Sequence, residues 1–342
     1  MKIFIKISSV LIIISIIVDI VASYYVYNLA IARTKKDFIK QNIFLEQVVS
    51  TSAEVSAVTT FKQSTENDAG VSSLDTASVA SEADNKIDWY NKNTYEEVNI
   101  ISDDGLNLKG FYRNAKIPTL KTVILSHGYS SQGTFMGSYA KLYYEKLGYN
   151  VLLPDDRGHG ISEGDYTGFG WLDRKDYIKW IDFIIDKLGQ NSEIVLHGVS
   201  MGGATVLMTS GENLPKNVKA IVSDCAYTSV KDELEYQFKR VYNLPSFPIL
   251  STTSILTKLR AGYFFGEASA LEQVKKSTTP TLFIHGAADE FVPFYMVKQL
   301  YQACNSPKEL LVVPNAGHGA SYSTDNNGYA NKVSEFVGKY VK

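Results

Sequence analysis

Glu193-Ile-Val-Leu-His-Gly-Val-Ser-Met-Gly-Gly-Ala204 is the stretch on which the reading of the whole chain turns. Ile194, Val195 and Leu196 form a short apolar run of the kind that makes a buried strand, and the run from Met201 to Ser210 reads as a helix. Between them lies Gly198-Val-Ser200-Met-Gly202. A sharp reversal from strand to helix holds its serine in a strained conformation and lifts the hydroxyl clear of the sheet, and glycine two residues to either side leaves room for it. Ser200 is therefore the candidate nucleophile. A Gly-x-Ser-x-Gly run alone is weak, and the flanking strand and helix are what make it specific.

The same alternation extends in both directions. Glu96–Ser102 and Leu106–Tyr112 flank Asp103-Asp-Gly105 as a strand–turn–strand pair. Thr122–Ser126 and Tyr149–Pro154 read as strands, with a helical stretch at Ser138–Lys146 between them. Trp171–Leu188 reads as a helix with Trp171, Leu172, Ile178, Ile181, Ile184 and Ile185 on one face. Beyond the turn, Val218–Ser223, Thr281–Ile284 and Leu310–Val313 are strands, and Phe294–Ala303 and Asn326–Tyr340 are helices. This order predicts an α/β fold, with a mostly parallel sheet covered on both faces and preceded by an antiparallel hairpin. The body runs from residue 89 to 342.

Composition narrows the function classes. The chain has 342 residues with 34 Lys and Arg against 36 Asp and Glu, a net charge of -2. No positive field gathers phosphates, so nucleic acid is not an expected partner. A hydrophobic share of 45% fits a packed globular protein and excludes a disordered chain. Cys225 and Cys304 are too few for a disulfide framework or a thiolate zinc site and read as buried free thiols, although one bridge between them stays open.

The N-terminal region differs in kind. Lys2 and Lys6 precede an apolar run from Ile7 to Ala32, which Arg33, Lys35 and Lys36 close. That is long enough to cross a hydrocarbon core needing about 20 residues. Residues 1–36 read as an uncleaved signal anchor. The rivals are a signal peptide cleaved near Val21-Ala-Ser23 or Ala30-Ile-Ala32, and a soluble amphipathic helix. Asp19 is costly in mid-membrane unless paired. Residues 37–88 are acidic, rich in Ser and Thr and without period, which predicts a flexible linker that lets the body stand off the bilayer. The body is expected outside the cytoplasm at the cell surface, or secreted if the segment is cleaved.

Serine needs a base and an acid behind it. All five histidines, His127, His159, His197, His285 and His318, precede a glycine. In this architecture the order is serine, acid, histidine. His318, in a glycine-flanked loop after the last strand, fits as general base, whereas His285 precedes the best acid. Asp289 fits as the acid that orients the imidazole, Asp224 is its rival, and Glu290 should point elsewhere. Asp289 also has the look of an N-terminal helix cap. The backbone amides of Met201 and Tyr129 are the expected oxyanion donors, in the loop His127-Gly-Tyr-Ser130 for the second. His127 should brace that loop and His197 the turn at Ser200. Asp156-Arg157-Gly-His159 reads as a structural loop tied to acids through Arg157.

Together, His127-Gly-Tyr129, Asp156-Arg-Gly-His-Gly160, Gly198-Val-Ser-Met-Gly202, Gly286…Asp289…Val292-Pro293 and Gly317-His318 resemble the α/β-hydrolase superfamily. The resemblance covers about Glu96 to Lys342 and is closest to bacterial membrane-anchored serine esterases and aminopeptidase-like hydrolases. It implies an eight-stranded sheet, a helical lid after the sixth strand, and no metal or organic cofactor. The lid falls at about 227–277 and is rich in apolar side chains, which suit an acyl or aromatic substrate or simply pack the lid onto the body. The expected function is hydrolysis of a small-molecule carboxylic ester. A peptidase, amidase or acyltransferase on the same residues and a non-catalytic surface-binding module are the alternatives.

Overall fold

Each expected strand forms, and the eight assemble into one sheet. The computed structural model describes residues 2–33 and 89–342, so the linker expected at 37–88 lies outside the described residues. Strands β1 (Glu96–Ile101) and β2 (Asn107–Arg113) pair antiparallel, with Glu96 opposite Tyr112 and Ile101 opposite Asn107. β2 is also antiparallel to β4 (Asn150–Pro154). The remaining neighbours are all parallel: β3 (Lys121–Ser126), β5 (Glu193–Val199), β6 (Val218–Asp224), β7 (Thr281–Gly286) and β8 (Lys308–Val313). The order across the sheet is β1-β2-β4-β3-β5-β6-β7-β8.

Central strands β3, β4 and β7 are buried almost throughout, which is why they read as unbroken apolar runs, whereas β2 alternates. Ile124, Leu196, Met201 and Trp180 belong to the core layer on one face, and Val123, Leu125, Val195 and Phe336 to the layer on the other. Helix α1 spans Lys2–Ala30. Helix α2 (Gly137–Lys141) sits between a 3-10 turn at Gly133–Met136 and a π-helical segment at Leu142–Leu147, so the expected helical stretch forms in three hydrogen-bond registers. Helix α3 (Asp173–Leu188) begins two residues later than its pattern suggests, because the Asp173 carboxylate turns back to accept the Gly170 N–H at 2.8 Å. Its buried stripe is Tyr177, Trp180, Ile181, Ile184 and Ile185, with Ile178 only half-buried. The aromatic residues shift that face away from the one the aliphatic pattern marks. Helix α4 (Met201–Ser210) is buried all round.

Between β6 and β7 the chain forms α5 (Val230–Tyr242), α6 (Ile249–Ala261) and α7 (Ala270–Val274), in the stretch expected as a lid. Tyr227, Phe238, Tyr263 and Phe265 of this insertion are buried, while Leu244, Phe247 and Leu259 are exposed. Helices α8 (Tyr295–Ala303), α9 (Ser321–Thr324) and α10 (Asn326–Tyr340) complete the chain. Cys225 and Cys304 are both buried and free.

Within α1, Leu11–Ala30 is long and apolar enough to cross a membrane, with mean hydropathy 1.8. Its end nevertheless belongs to the body. Tyr27 and Ile31 are buried in the same core layer as Met201. Ser23 Oγ donates to the Ile249 carbonyl at 3.0 Å, and Thr252 Oγ1 donates to Asp19 Oδ2 at 2.6 Å, so the costly acid of the apolar run is paired. The Arg33 guanidinium donates to the carbonyls of Gly160 and Ser162, and the Arg33 N–H donates to the Asp165 carbonyl. The end of α1 is thus docked on the body, and Arg33 is fixed to it. Replacing Arg33 with alanine leaves the Gly160 and Ser162 carbonyls without their side-chain donor and is expected to cost ~1–3 kcal/mol of stability. Thermal unfolding of the full chain in detergent reads this, and an unchanged midpoint contradicts the docked arrangement.

Candidate active site

β5 ends at Val199 and α4 begins at Met201, so one residue makes the whole reversal. Ser200 does it at φ 58° and ψ -117°, a conformation that residues with a side chain rarely adopt. The approach is tight enough to require glycine on both sides. A methyl on Gly198 would stand 2.1 Å from the Gly202 carbonyl oxygen, and one on Gly202 would stand 2.1 Å from the Ser126 carbonyl oxygen. Two hydrogen bonds fix the turn: Ser200 N–H donates to the Asp224 carbonyl and Ala204 N–H to the Ser200 carbonyl, each at 2.9 Å.

The loop after β8 brings His318 to this hydroxyl. Nε2 of His318 lies 2.8 Å from Ser200 Oγ, and Nδ1 lies 2.8 Å from Asp289 Oδ2. Asp289, just past β7, accepts the N–H groups of Phe291 and Val292 at its other oxygen, Oδ1, both at 2.9 Å. It therefore caps a turn, not a helix, while facing the imidazole. Burial works to raise the Asp289 carboxyl, but the neighbouring imidazoles of His318 and His285 outweigh it and hold the group well below the usual carboxylate range. An ionised Asp289 only accepts, so the His318 proton sits on Nδ1 and the Nε2 lone pair faces the Ser200 hydroxyl. The Phe291 ring lies 4.8 Å from the His318 ring, centroid to centroid.

The other candidates sit elsewhere. Asp224 is buried, accepts the Ser321 hydroxyl at 3.1 Å, and has its carboxyl pushed up to about 6 chiefly by burial. Glu290 is exposed. His285 Nε2 donates to the Val292 carbonyl at 2.9 Å and lies 3.3 Å from Asp289 Oδ2. On the opposite side of Ser200 runs the loop from His127 to Ser130. A methyl on Gly128 would stand 3.6 Å from Ser200 Cβ, so this loop passes beside the turn at Ser200. His127 bridges this loop, with Nδ1 2.8 Å from the Gly128 carbonyl and Nε2 accepting the Asp156 N–H at 3.0 Å. Arg157 ties its loop to Asp176 at 2.7 Å and to Asp104 at 2.9 Å. His197 lies between the hydroxyls of Tyr143 and Tyr329, at 3.1 and 3.0 Å.

Among the described residues, the potential ligand atoms of Cys225, Asp289 and His318 lie within 4.8 Å of one another. They make a poor metal site. Burial pushes the Cys225 thiol well above its ordinary value, so it is no thiolate, and His318 and Asp289 already bond each other.

Two features of the site carry no sequence signal. The Tyr129 hydroxyl donates to the Ala30 carbonyl at 2.9 Å, and its ring stacks on Phe169 at 5.2 Å. Its partner sits in a stretch that looks like a membrane segment. Glu233 of α5 is buried, with its carboxyl raised to about 8 mainly by burial and partly by the charge of Asp289. On a helix so rich in charge it reads as a solvated position.

Residues 136–342 match the prolyl oligopeptidase family. The chain belongs to this family. It is 33% identical over 238 residues to the protein YqkD of Bacillus subtilis, covering 70% of this chain and 77% of that one. A membrane protein of Saccharomyces cerevisiae is 25% identical over 245 residues, covering 71% and 79%. An esterase of Pyrococcus furiosus superimposes with a TM-score of 0.59 at 24% identity, over 73% of this chain and 94% of that one, which shows the same fold. This member of the prolyl oligopeptidase family is thus a hydrolase by family, with the α/β-hydrolase architecture. Because Gly202 leaves no space for a methyl beside the Ser126 carbonyl, Gly202→Ala is expected to lower stability by ~1–3 kcal/mol through overpacking. Urea unfolding measures this, and a variant as stable as the parent contradicts the close approach.

Proposed function

We propose that the chain hydrolyses small-molecule carboxylic esters through Ser200, His318 and Asp289. The observation that carries this reading is the continuous chain of contacts from Ser200 Oγ through His318 to Asp289 Oδ2, 2.8 Å at each step. Ser200 Oγ attacks the carbonyl carbon while His318 Nε2 takes the hydroxyl proton. The tetrahedral oxyanion then sits against the backbone N–H groups of Met201 and Tyr129. His318 returns its proton to the leaving alkoxide, leaving an acyl-enzyme. Water, deprotonated by the same nitrogen, releases the acid and restores the serine. Asp289 keeps its charge throughout and stabilises the imidazolium. Side chains and water account for every proton, so the reaction as written calls for no cofactor.

Amide or peptide cleavage and acyl transfer to an alcohol use the same groups. A peptide substrate would call for a charged subsite. We also infer three functional parts: an N-terminal anchor, the linker and the hydrolase with α5–α7 as its lid. The anchor is α1, with the body on the extracytoplasmic side. The length and hydropathy of Leu11–Ala30 support its crossing of a membrane.

Hydrolysis of p-nitrophenyl esters by the full chain in detergent tests this assignment. Ser200→Ala and Asp289→Asn are each expected to lower kcat by roughly 10⁴-fold with the fold intact by circular dichroism. Turnover that survives Ser200→Ala removes the mechanism, and turnover of peptides alone moves the assignment to the peptidase reading.

A further inference from the structure

Helix α1 and the insertion between β6 and β7 meet in a way that relates the site to a surface. Asp19 and Ser23 contact the first turns of α6, at Thr252 and Ile249, while Tyr24 and Tyr27 lie under Arg260 near the end of α6. The two helices therefore run side by side in the same direction, and α1 projects beyond the start of α6. The chain that leads into α6 comes from the end of α5, where Tyr242 is an electrostatic neighbour of Tyr25. The tip of the insertion, Tyr242–Phe247, is thus set beside α1 at the level where α1 leaves the body.

Both partners present apolar side chains at that level. Phe247 is 73% exposed and Leu244 50%, and in α1 Ile20 is 55%, Val21 62% and Tyr25 59% exposed. From Lys2 to Val18 α1 rises ~24 Å before Asp19 meets α6, most of the thickness of a hydrocarbon core. Tyr24, Tyr25 and Tyr242 then fall at the depth where tyrosine collects in membranes. The middle of α5 is at the site: Gln237 donates to the Phe291 carbonyl and Tyr236 to the Glu290 carbonyl, both in the turn that begins with Asp289. From Gln237 to Tyr242 the helix rises ~8 Å.

We propose that the tip Tyr242–Phe247 inserts into the surface of the bilayer that α1 crosses, so that the insertion bridges the membrane and Ser200 and the enzyme takes esters that partition into the bilayer. This rests on the anchored ester hydrolase proposed above and adds to it a docking surface and a substrate class. The docked end of α1 makes it rigid. With Tyr27 and Ile31 in the core and Arg33 latched to Gly160 and Ser162, the body cannot swing away from the membrane on the linker.

The full chain reconstituted in phosphatidylcholine vesicles supplies the test. In Phe247→Trp, the added indole is expected to lose at least a third of its emission when the lipid carries bromine on its acyl chains, after subtraction of the parent's three tryptophans. Chain that floats with vesicles without that extra quenching overturns the docking and leaves the esterase and the anchor standing. Chain that fails to float overturns the docking together with the anchor. A Leu244→Ser, Phe247→Ser double variant is expected to keep its rate on soluble p-nitrophenyl acetate within twofold and to lose fivefold or more on a long-chain ester held in the vesicles. Equal loss on both substrates contradicts the proposal.

Discussion

The close approach of α4 to the ends of β3, β5 and β6 is the constraint on which the site depends. At Gly198 and Gly202 the backbone of the turn lies against other backbone, with no room for a methyl group. Ser200 is pressed into a positive φ by that packing and cannot relax without moving α4, which is buried on every side. Backbone strain of this kind costs ~1–3 kcal/mol and persists only where the surroundings over-determine it. Core on both faces of the sheet supplies that over-determination.

Everything else at the site is arranged around the hydroxyl. The parallel strands deliver their following loops to one edge of the sheet, so β5, β7 and β8 bring Ser200, Asp289 and His318 together from positions far apart in the chain. Asp289 is held from both sides, by two backbone N–H groups at one oxygen and an imidazole at the other. Its low proton affinity follows from imidazole neighbours overcoming burial. Asp224, nearby but without that imidazole bond, shows the opposite outcome, a carboxyl pushed upward by the same burial. Two acids at the ends of adjacent strands therefore have opposite electrostatic characters, and only one faces His318.

Much of this was legible in the sequence because it is local. The strands are apolar runs, the turn at Ser200 is a pattern of glycines, and the order serine, acid, histidine disfavours His285, which precedes Asp289. What escaped was non-local or depended on which neighbour packs against what. The buried stripe of α3 is set by Tyr177 and Trp180, and aliphatic periodicity misplaces it. The π-helical segment after α2 leaves no mark in residue types. The docking of α1 is the clearest example. Hydropathy marks its apolar length but says nothing of Tyr27, Ile31 and Arg33, whose partners lie more than a hundred residues away in the body. Tyr129 shows the consequence, because it follows Gly128, which lies beside Ser200, and holds the end of α1 through its side chain.

Among the described residues, Ser200 is the serine whose hydroxyl faces the His318 imidazole. Reaction of the folded chain with a fluorophosphonate, followed by peptide mapping with mass spectrometry, is the direct measurement. A single adduct on the peptide carrying Ser200, absent when the chain is unfolded first, is the predicted result. An adduct spread over other serines, or none on Ser200 while the fold is intact, would contradict the account.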